Sequence, residues 1–234
     1  MSQRRIVLKN ILNCRDLGGF PSEYGTTKYG RFLRAGIVEY PEDWETDILG
    51  QYGVTTAIDL RGDFEVDDMS PRLDRIRGCD TYNISLYEAN VANANDDEHS
   101  LAEIYISIAD NYRENMKTVL EAIADAKDGV VMYHCFFGKD RTGILTLLLL
   151  TIAGVAEEDI VADYQVTYTY IKKYVDEHSA TLWSRDRKMH YSLPETMEKL
   201  IEHMKNEYGS VYDYIVSTGI DEEKIEKIRR RFFD

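Results

Sequence analysis

Residues 134–143 read HCFFGKDRTG, and no other stretch constrains the architecture and chemistry of the chain as strongly. Cys135 stands six residues before Arg141, and an apolar segment lies on each side, at 129–133 and 144–152. The pattern predicts a strand, a short loop and a helix, which would gather the backbone N–H groups of the loop at a helix N-terminus. Unpaired amides and the partial positive charge of a helix end favour a bound anion, and the same field stabilises a thiolate.

The side chains of this loop combine a nucleophile with groups that bind phosphate. Cys135 is the predicted nucleophile, and the planar guanidinium of Arg141 matches two oxygens of a phosphate. Thr142, at the helix start, can donate a hydrogen bond to the sulfur, and Lys139 adds a second positive charge. The predicted substrate-binding residues are those of the loop and one arginine elsewhere: Phe136, Phe137, Gly138, Lys139, Thr142 and Arg61.

Composition places the chain among globular proteins. Its 234 residues, of which 44% are hydrophobic, suffice for a single α/β domain over 1–234. The net charge of −14 argues against nucleic acid and anionic membranes as partners. The longest apolar stretch, 144–156, is too short for a membrane-spanning helix, and residues 1–5 are not followed by the apolar region of a signal peptide. We therefore expect a cytoplasmic protein without stable membrane insertion.

The cysteines exclude two other kinds of site. There are three of them, widely spaced, which suits neither a disulfide framework nor a zinc centre. We expect no metal and no cofactor, and a reducing compartment that keeps Cys135 usable. The oligomeric state cannot be read from this pattern.

Hydrophobic periodicity outlines alternating strands and helices. Strands are predicted at 54–60 and 80–86, with small antiparallel strands in the first forty residues. Helices are predicted at 41–52, 116–123, 144–152, 159–175 and 197–204, followed by two short helices capped by Ser210 and Asp221. Residues 88–100 have no clear period and are expected to form a mobile loop. The alternation predicts an α/β fold with a central sheet flanked by helices.

Several segments together carry a resemblance to a known family. Residues 134–143 contain the Cys-x5-Arg-Thr signature of cysteine-dependent phosphatases, in a narrower form that includes Gly-Lys-Asp. The chain resembles the bacterial and fungal tyrosine-phosphatase-like family, which includes secreted phosphatases of intracellular pathogens. The other segments that share the resemblance are 13–19, 34–36, 58–61, 160–164 and 208–211.

This resemblance implies a fold, an activity and a mechanism. The fold would be that of the cysteine-dependent phosphatases, with a mostly parallel sheet. Family members act on phosphotyrosine, and often on phosphoserine, phosphothreonine and phosphoinositides, so the expected partner is a phosphorylated protein or a phosphoinositide. Cys135 would form a phosphocysteine that water then hydrolyses, while Arg141 holds the phosphate oxygens.

The acid that protonates the leaving oxygen has more than one candidate. In the resembling family the aspartate at the position of Asp140 is functionally important. Asp59 ends a predicted strand and is the second candidate, and Asp63 or an acid near 96–97 are further ones. The alternative for Asp59 is a buried structural carboxylate paired with an arginine such as Arg61 or Arg15.

The segment 165–194 is predicted to be a helical cover over the active site. It is rich in aromatic side chains among charges and lacks a clean helical stripe. Amphipathic aromatics of this kind can wall a pocket and exclude water. The alternative is a surface helical hairpin packed on the core.

Two other functional classes compete with a phosphatase. A nucleotide-binding P-loop needs Gly-Lys-Ser/Thr, whereas Asp140 follows Lys139 here. A phosphate-binding module without turnover would fit the same loop, but such modules usually lose the cysteine, the arginine or the acid. Both Cys135 and Arg141 are present, so the sequence favours an enzyme.

Overall fold

The protein is described from a computed structural model over residues 4–68, 71–87, 100–178, 180 and 187–234. The strands are β1 (Ile11–Asp16), β2 (Pro21–Ser22), β3 (Gly25–Thr26), β4 (Phe32–Ile37), β5 (Val54–Asp59), β6 (Asp80–Asn83) and β7 (Val130–Cys135). The helices are α1 (Asp43–Tyr52), α2 (Asp63–Asp68), α3 (Leu101–Asn111), α4 (Arg113–Ala124), α5 (Asp140–Ile152), α6 (Glu157–His178), α7 (Pro194–Tyr208), α8 (Val211–Ser217) and α9 (Glu222–Phe233). Short 3₁₀ turns span Leu73–Arg75 and Arg187–His190.

The main sheet has the strand order β1-β4-β7-β5-β6. Its edge strand β1 runs antiparallel to β4, and the other neighbours are parallel. The ends of β4, β7 and β5 therefore meet at one edge, where Gly36 lies beside Cys135 and Asp59 beside His134. The predicted fold class, a mostly parallel sheet flanked by helices with antiparallel N-terminal strands, is confirmed.

Helix α5 forms the centre of the core. It is buried at every residue from Arg141 to Leu150, as expected for a helix that is apolar on all sides after its first turn. The sheet covers one side of it, and the outer layer of helices, which includes α3, α8 and α9, covers the other. Helix α1 packs on the opposite face of the sheet around Leu49. Because α5 begins directly after the loop, this packing fixes the direction in which the helix end points.

Most predicted elements lie where the pattern placed them. Helix α1 ends at Gly53, whose φ of +102° is the left-handed conformation that glycine adopts without strain. The side chain of Ser210 caps α8 by accepting a hydrogen bond from the Asp213 amide at 2.9 Å. The predicted mobile loop at 88–100 lies outside the described residues, except for Ser100.

Helix α3 was missed by the sequence analysis. Ser100 and Glu103 form a reciprocal capping box at its start. Ile104, Tyr105 and Ile108 then recur at helical spacing and are buried. Both signals are readable in the sequence. Among the described helices, none is long and apolar enough to cross a membrane.

Candidate active site

The loop between β7 and α5 lies directly on the end of β4. Cys135 ends β7 with only 1% of its surface exposed. Gly138 has a φ of +63°, and a Cβ there would lie 2.4 Å from the Ala35 carbonyl group. A Cβ on Gly36 would lie 2.3 Å from the carbonyl carbon of Phe137. Both positions therefore require glycine, because the two backbones touch.

Two side chains hold the carbonyl groups of the loop on one side. Asn13 Nδ2 donates to the carbonyl oxygens of Gly138 at 2.8 Å and Phe137 at 3.2 Å. Arg34 Nη2 also donates to the Gly138 carbonyl, at 2.9 Å. A trans peptide unit points its N–H away from its C=O. The amides of Gly138 and Lys139 therefore face the opposite side of the loop, where an anion can accept from them.

Behind the loop lies a buried ion cluster of Arg15, Arg34 and Asp163, here called the rear cluster. Asp163 Oδ1 accepts from Arg15 Nε at 2.9 Å, and Oδ2 accepts from Arg34 Nη1 at 2.7 Å. All three side chains are 1% exposed. Burial opposes ionisation of Asp163, but the two guanidinium groups prevail and hold the pKa of this carboxyl far below its usual range. The cluster joins β1, β4 and α6 beneath the loop.

In front of the loop, Arg141 pairs with Glu65 of α2, and we call this the front pair. Both terminal nitrogens of Arg141 donate to the Glu65 carboxylate, one of them at 2.9 Å and the other closer. The side chains are 10% and 19% exposed, so this pair reaches solvent. Burial opposes the charge of Arg141, but the hydrogen bonds to Glu65 outweigh it and raise the pKa of Arg141. The predicted phosphate clamp thus faces a carboxylate in this structure.

Asp140 is the first residue of α5 and lies at its N-terminus, the end of a helix that favours anions. Its side chain is 26% exposed. Its Oδ1 accepts from the Tyr105 hydroxyl at 2.8 Å, and the Lys139 ammonium lies 3.2 Å from the same oxygen. A carboxyl that is accessible and fixed on one oxygen suits a proton donor.

Lys139 is directed away from solvent. Its side chain is 1% exposed, and Nζ donates to the Met189 carbonyl oxygen and lies 3.5 Å from that of Tyr191. The ammonium therefore ties the loop to the segment after Arg187. This geometry does not favour the predicted role of Lys139 as a second phosphate contact.

Asp59 and Arg61 form a buried pair at the end of β5. Arg61 donates to Asp59 Oδ2 at 2.7 Å from Nη2 and to Oδ1 at 3.0 Å from Nε. Burial opposes ionisation of Asp59, but its positive neighbours outweigh this and its pKa is lowered. The Asp59 side chain is only 5% exposed and both of its oxygens accept from Arg61, so the geometry argues against Asp59 as the acid. The Arg61 guanidinium faces Asp59, which argues against a phosphate contact there.

His134 lies under the loop beside this pair. It is fully buried, and its Nδ1 lies 3.7 Å from Asp59 Oδ1. Burial lowers the pKa of His134 to about 4, so the imidazole is neutral at neutral pH. A neutral imidazole here does not titrate near pH 7.

The remaining predicted substrate-binding residues differ in their surroundings. Phe137 is 3% exposed and packs with Ile171 and Val175 of α6, and Phe136 lies against the same cluster. These rings attach the loop to α6. The Thr142 hydroxyl is buried and makes no hydrogen bond among the described residues, so the predicted donation to the sulfur is not formed.

The described ranges hold no group of three or more His, Cys, Asp or Glu side chains arranged for a metal ion. What they do hold is a buried cysteine, an arginine and an aspartate around a loop whose amides face one side. A sequence model for a family described as tyrosine phosphatases matches residues 6–234. The chain belongs to the tyrosine phosphatase family. The enzyme class predicted from residues 134–143 is thereby confirmed.

Two tyrosine phosphatases are similar to this chain at low identity. It is 28% identical over 215 residues to a tyrosine-protein phosphatase of Nostoc commune, which covers 86% of this chain and 73% of the relative. A candidate tyrosine-protein phosphatase of Cupriavidus necator is 25% identical over 169 residues, or 68% of this chain and 61% of that protein.

Among solved structures, that of P. aeruginosa TpbA overlaps with a TM-score of 0.45 at 13% identity, covering 89% of this chain and 91% of TpbA. A complex of a TpbA variant with phosphotyrosine gives a TM-score of 0.38 at 16% identity, covering 75% of this chain and 86% of the other.

The sequence analysis gave no role to several residues that build the site of this tyrosine phosphatase. They are Asn13, Arg34 and Asp163 behind the loop, and Glu65 and Tyr105 in front of it. The first three stand within the segments that carry the family resemblance, which was the available signal. Glu65 and Tyr105 had none, because an acid and a tyrosine on amphipathic helices are ordinary.

Proposed function

We propose that this tyrosine phosphatase hydrolyses phosphotyrosine through a phosphocysteine intermediate on Cys135. The observation that carries the proposal is the anchoring of the loop, in which Asn13 and Arg34 hold the carbonyls and so turn the amides of Gly138 and Lys139 to the other side. A phosphate seated against those amides would lie at the N-terminus of α5, where backbone donors and the helix dipole favour an anion.

The proposed reaction has two steps. The Cys135 thiolate attacks phosphorus, an S–P bond forms, and the bond from phosphorus to the tyrosine oxygen breaks while Asp140 donates a proton to that oxygen. Water then attacks phosphorus, the S–P bond breaks to return the Cys135 thiolate, the carboxylate of Asp140 accepts the proton of the water, and inorganic phosphate leaves. The loop amides and Arg141 stabilise the charge on the equatorial oxygens in both steps.

Phosphate binding must involve the front pair. The two terminal nitrogens of Arg141 donate to Glu65, so a phosphate dianion has to replace this carboxylate or use the remaining N–H groups of Arg141. A carboxylate and a phosphate present similar oxygens to the guanidinium fork. The contact with Glu65 supports the proposal that the position in front of Arg141 accepts an anion.

Turnover of phosphoserine, phosphothreonine and phosphoinositides is the broader part of the prediction. It rests on the family resemblance, and Lys139 beside Arg141 would offer a second positive charge to a multiply phosphorylated headgroup. With its ammonium bound to the carbonyls of Met189 and Tyr191, Lys139 adds no support for it. Comparing Lys139→Ala on a soluble short-chain phosphoinositide and a phosphotyrosine peptide tests the point. A selective loss on the lipid would restore Lys139 as a headgroup contact, whereas equal losses would exclude it.

The cover predicted at 165–194 stays part of the proposal. Its described parts touch the loop, since Phe137 lies edge-on to Tyr174 at 6.1 Å and to His190 at 5.6 Å. Residues 179 and 181–186 lie outside the described ranges. Protection from hydrogen exchange gained in 165–178 and 187–194 on adding vanadate would support a cover. Unchanged protection would leave these residues as scaffold.

The test of the function is vanadate-sensitive release of phosphate from a phosphotyrosine peptide. Cys135→Ser should abolish turnover and retain phosphate binding, because a serine hydroxyl stays protonated at neutral pH. If the wild type binds the peptide without hydrolysing it, the protein is a phosphate-binding module. If Cys135→Ser keeps more than a small fraction of the activity, the phosphocysteine mechanism is wrong.

A further inference from the structure

Tyr105 of α3 reaches the active site from inside the core. The residue is fully buried, yet its hydroxyl lies 2.8 Å from Asp140 Oδ1. The same hydroxyl lies 2.9 Å from that of Tyr164 of α6, which also hydrogen-bonds Thr196 of α7. Three helices thus contribute to a chain of hydroxyl groups that ends on the carboxyl of Asp140.

The direction of these hydrogen bonds follows from counting protons. A phenol has one proton, so Tyr105 can donate either to Asp140 or to Tyr164. The carboxylate is the stronger acceptor, so Tyr105 donates to Asp140 and accepts from Tyr164. Burial, together with the charge of Asp140, raises the pKa of Tyr105 well above its usual range. Tyr105 is therefore a permanent donor.

The two oxygens of Asp140 are consequently not equivalent. Oδ1 accepts from Tyr105, and the Lys139 ammonium lies 3.2 Å from it. An oxygen that faces two donors is a poor place for an additional proton. The proton of the carboxylic acid must then sit on Oδ2.

We propose that Tyr105 is a positioning residue that fixes Asp140 so that Oδ2 presents its proton to the leaving oxygen. The inference rests on the proposed function, in which Asp140 is the acid. In the first step the Oδ2–H bond breaks, the new O–H bond forms on the departing tyrosine, and Asp140 is left as a carboxylate. Tyr105 keeps its own proton throughout and touches neither phosphate nor sulfur.

A matched pair of variants isolates this role. Tyr105→Phe removes the hydroxyl and leaves the ring in place. Tyr133→Phe is the control, because Tyr133 is equally buried and stands two residues before Cys135. Its hydroxyl forms a hydrogen bond with the Thr146 hydroxyl at 2.8 Å and not with Asp140. Both variants are made in the wild type and in Asp140→Asn, and unfolding curves check that all of them fold.

The readout is kcat/KM, which reports the steps through loss of the leaving group, on two substrates that differ in their need for an acid. Phenolate leaves poorly without a proton, whereas p-nitrophenolate leaves readily. Tyr105→Phe should lose about tenfold on phenyl phosphate, the scale of one hydrogen bond to a charged group, and much less on p-nitrophenyl phosphate. In the Asp140→Asn background it should lose nothing further, because its effect acts through Asp140. Tyr133→Phe should affect both substrates alike in both backgrounds.

Equal losses of Tyr105→Phe on the two substrates, or a loss that persists undiminished in Asp140→Asn, would overturn the inference and leave the phosphatase intact. An Asp140→Asn variant that loses equally on both substrates would overturn it as well, by removing Asp140 as the acid. A wild type that hydrolyses neither substrate would instead refute the proposed function itself.

Discussion

The rear cluster and the front pair use the same chemistry on two sides of one loop. Each sets an arginine against a carboxylate, Arg34 against Asp163 and Arg141 against Glu65. In the rear cluster, the side chains of Arg34 and Asp163 are each 1% exposed. In the front pair, the side chain of Arg141 is 10% exposed and that of Glu65 is 19% exposed. The charged groups are the same on both sides, so burial decides the role of such a pair. A buried pair stabilises the fold, whereas a partly exposed pair can still bind an incoming anion.

The number of hydrogen bonds separates the two sides as well. Asp163 accepts from Arg4, Arg15 and Arg34, so both of its oxygens are used. Such multiple bonding is what offsets the cost of burying the charges. Glu65 accepts from Arg141 and from the Gly62 amide, near solvent that can screen the pair. An anion can displace a partner in front far more readily than behind.

The largest expected effect comes from breaking the rear cluster. Asp163→Asn leaves two buried arginines without their counter-charge and should lower the free energy of unfolding by about 3–5 kcal/mol. Glu65→Gln is the matched control in front and should cost less, because this pair is partly exposed and the Gln carbonyl oxygen can still accept from Arg141. Urea unfolding of both variants measures the difference. Equal costs would mean that burial does not distinguish the two sides.

Acid should destabilise the fold through His134, which lies under the loop beside Asp59. Burial lowers its pKa to about 4 in the folded protein, below the value of about 6.5 in an unfolded chain. The unfolded state therefore takes up the proton first. The stabilisation is complete above about pH 6.5 and is lost as the pH falls towards 4, by about 3 kcal/mol in all.

The measurement is the free energy of unfolding at neutral and at acidic pH, for the wild type and for His134→Asn. The variant should show a smaller drop. A drop of the same size in wild type and His134→Asn would show that another group causes it.

A methyl group at Gly36 should press on the back of the loop. Its Cβ would lie 2.3 Å from the carbonyl carbon of Phe137, so the loop must shift, and overpacking of this kind costs about 1–3 kcal/mol. Turnover should fall as well, because the amides move. Gly50→Ala in α1 is the control, with its Cβ 3.4 Å from Ile76 in ordinary contact. A Gly36→Ala variant with normal stability and activity would contradict the backbone contact.

The smallest effect on stability, and the most informative one for function, is expected from Glu65→Gln. The variant keeps the shape of the side chain and removes the charge that competes for Arg141. Inorganic phosphate should therefore inhibit it at lower concentration than it inhibits the wild type. Weaker inhibition would mean that Glu65 orients Arg141 for phosphate rather than competing with it.

Local sequence was enough for much of this protein. Residues 134–143 predicted the loop and its chemistry. The apolar run that follows, 144–152, predicted the buried helix α5. Gly53 and Ser210 marked the end of one helix and the start of another. These features depend on neighbouring residues, on helical or strand spacing and on the ability of glycine to adopt a positive φ. All of these can be recognised from residues that are close together in the sequence. Helix α3 belonged to the same class, and its capping box and spacing were overlooked.

Only the tertiary structure decided which charges meet. Asp163 is 148 residues from Arg15 and 129 from Arg34, and Arg141 is 76 from Glu65. Their pairing depends on which strands and helices become neighbours, and the chain contains many other acids and arginines. Lys139 is the clearest example, because its ammonium binds backbone carbonyl oxygens. Every residue has such an oxygen, so the residue types in a sequence cannot identify the one that binds. Burial then set the strength of each pair, since a charge costs little near water and a great deal in the core.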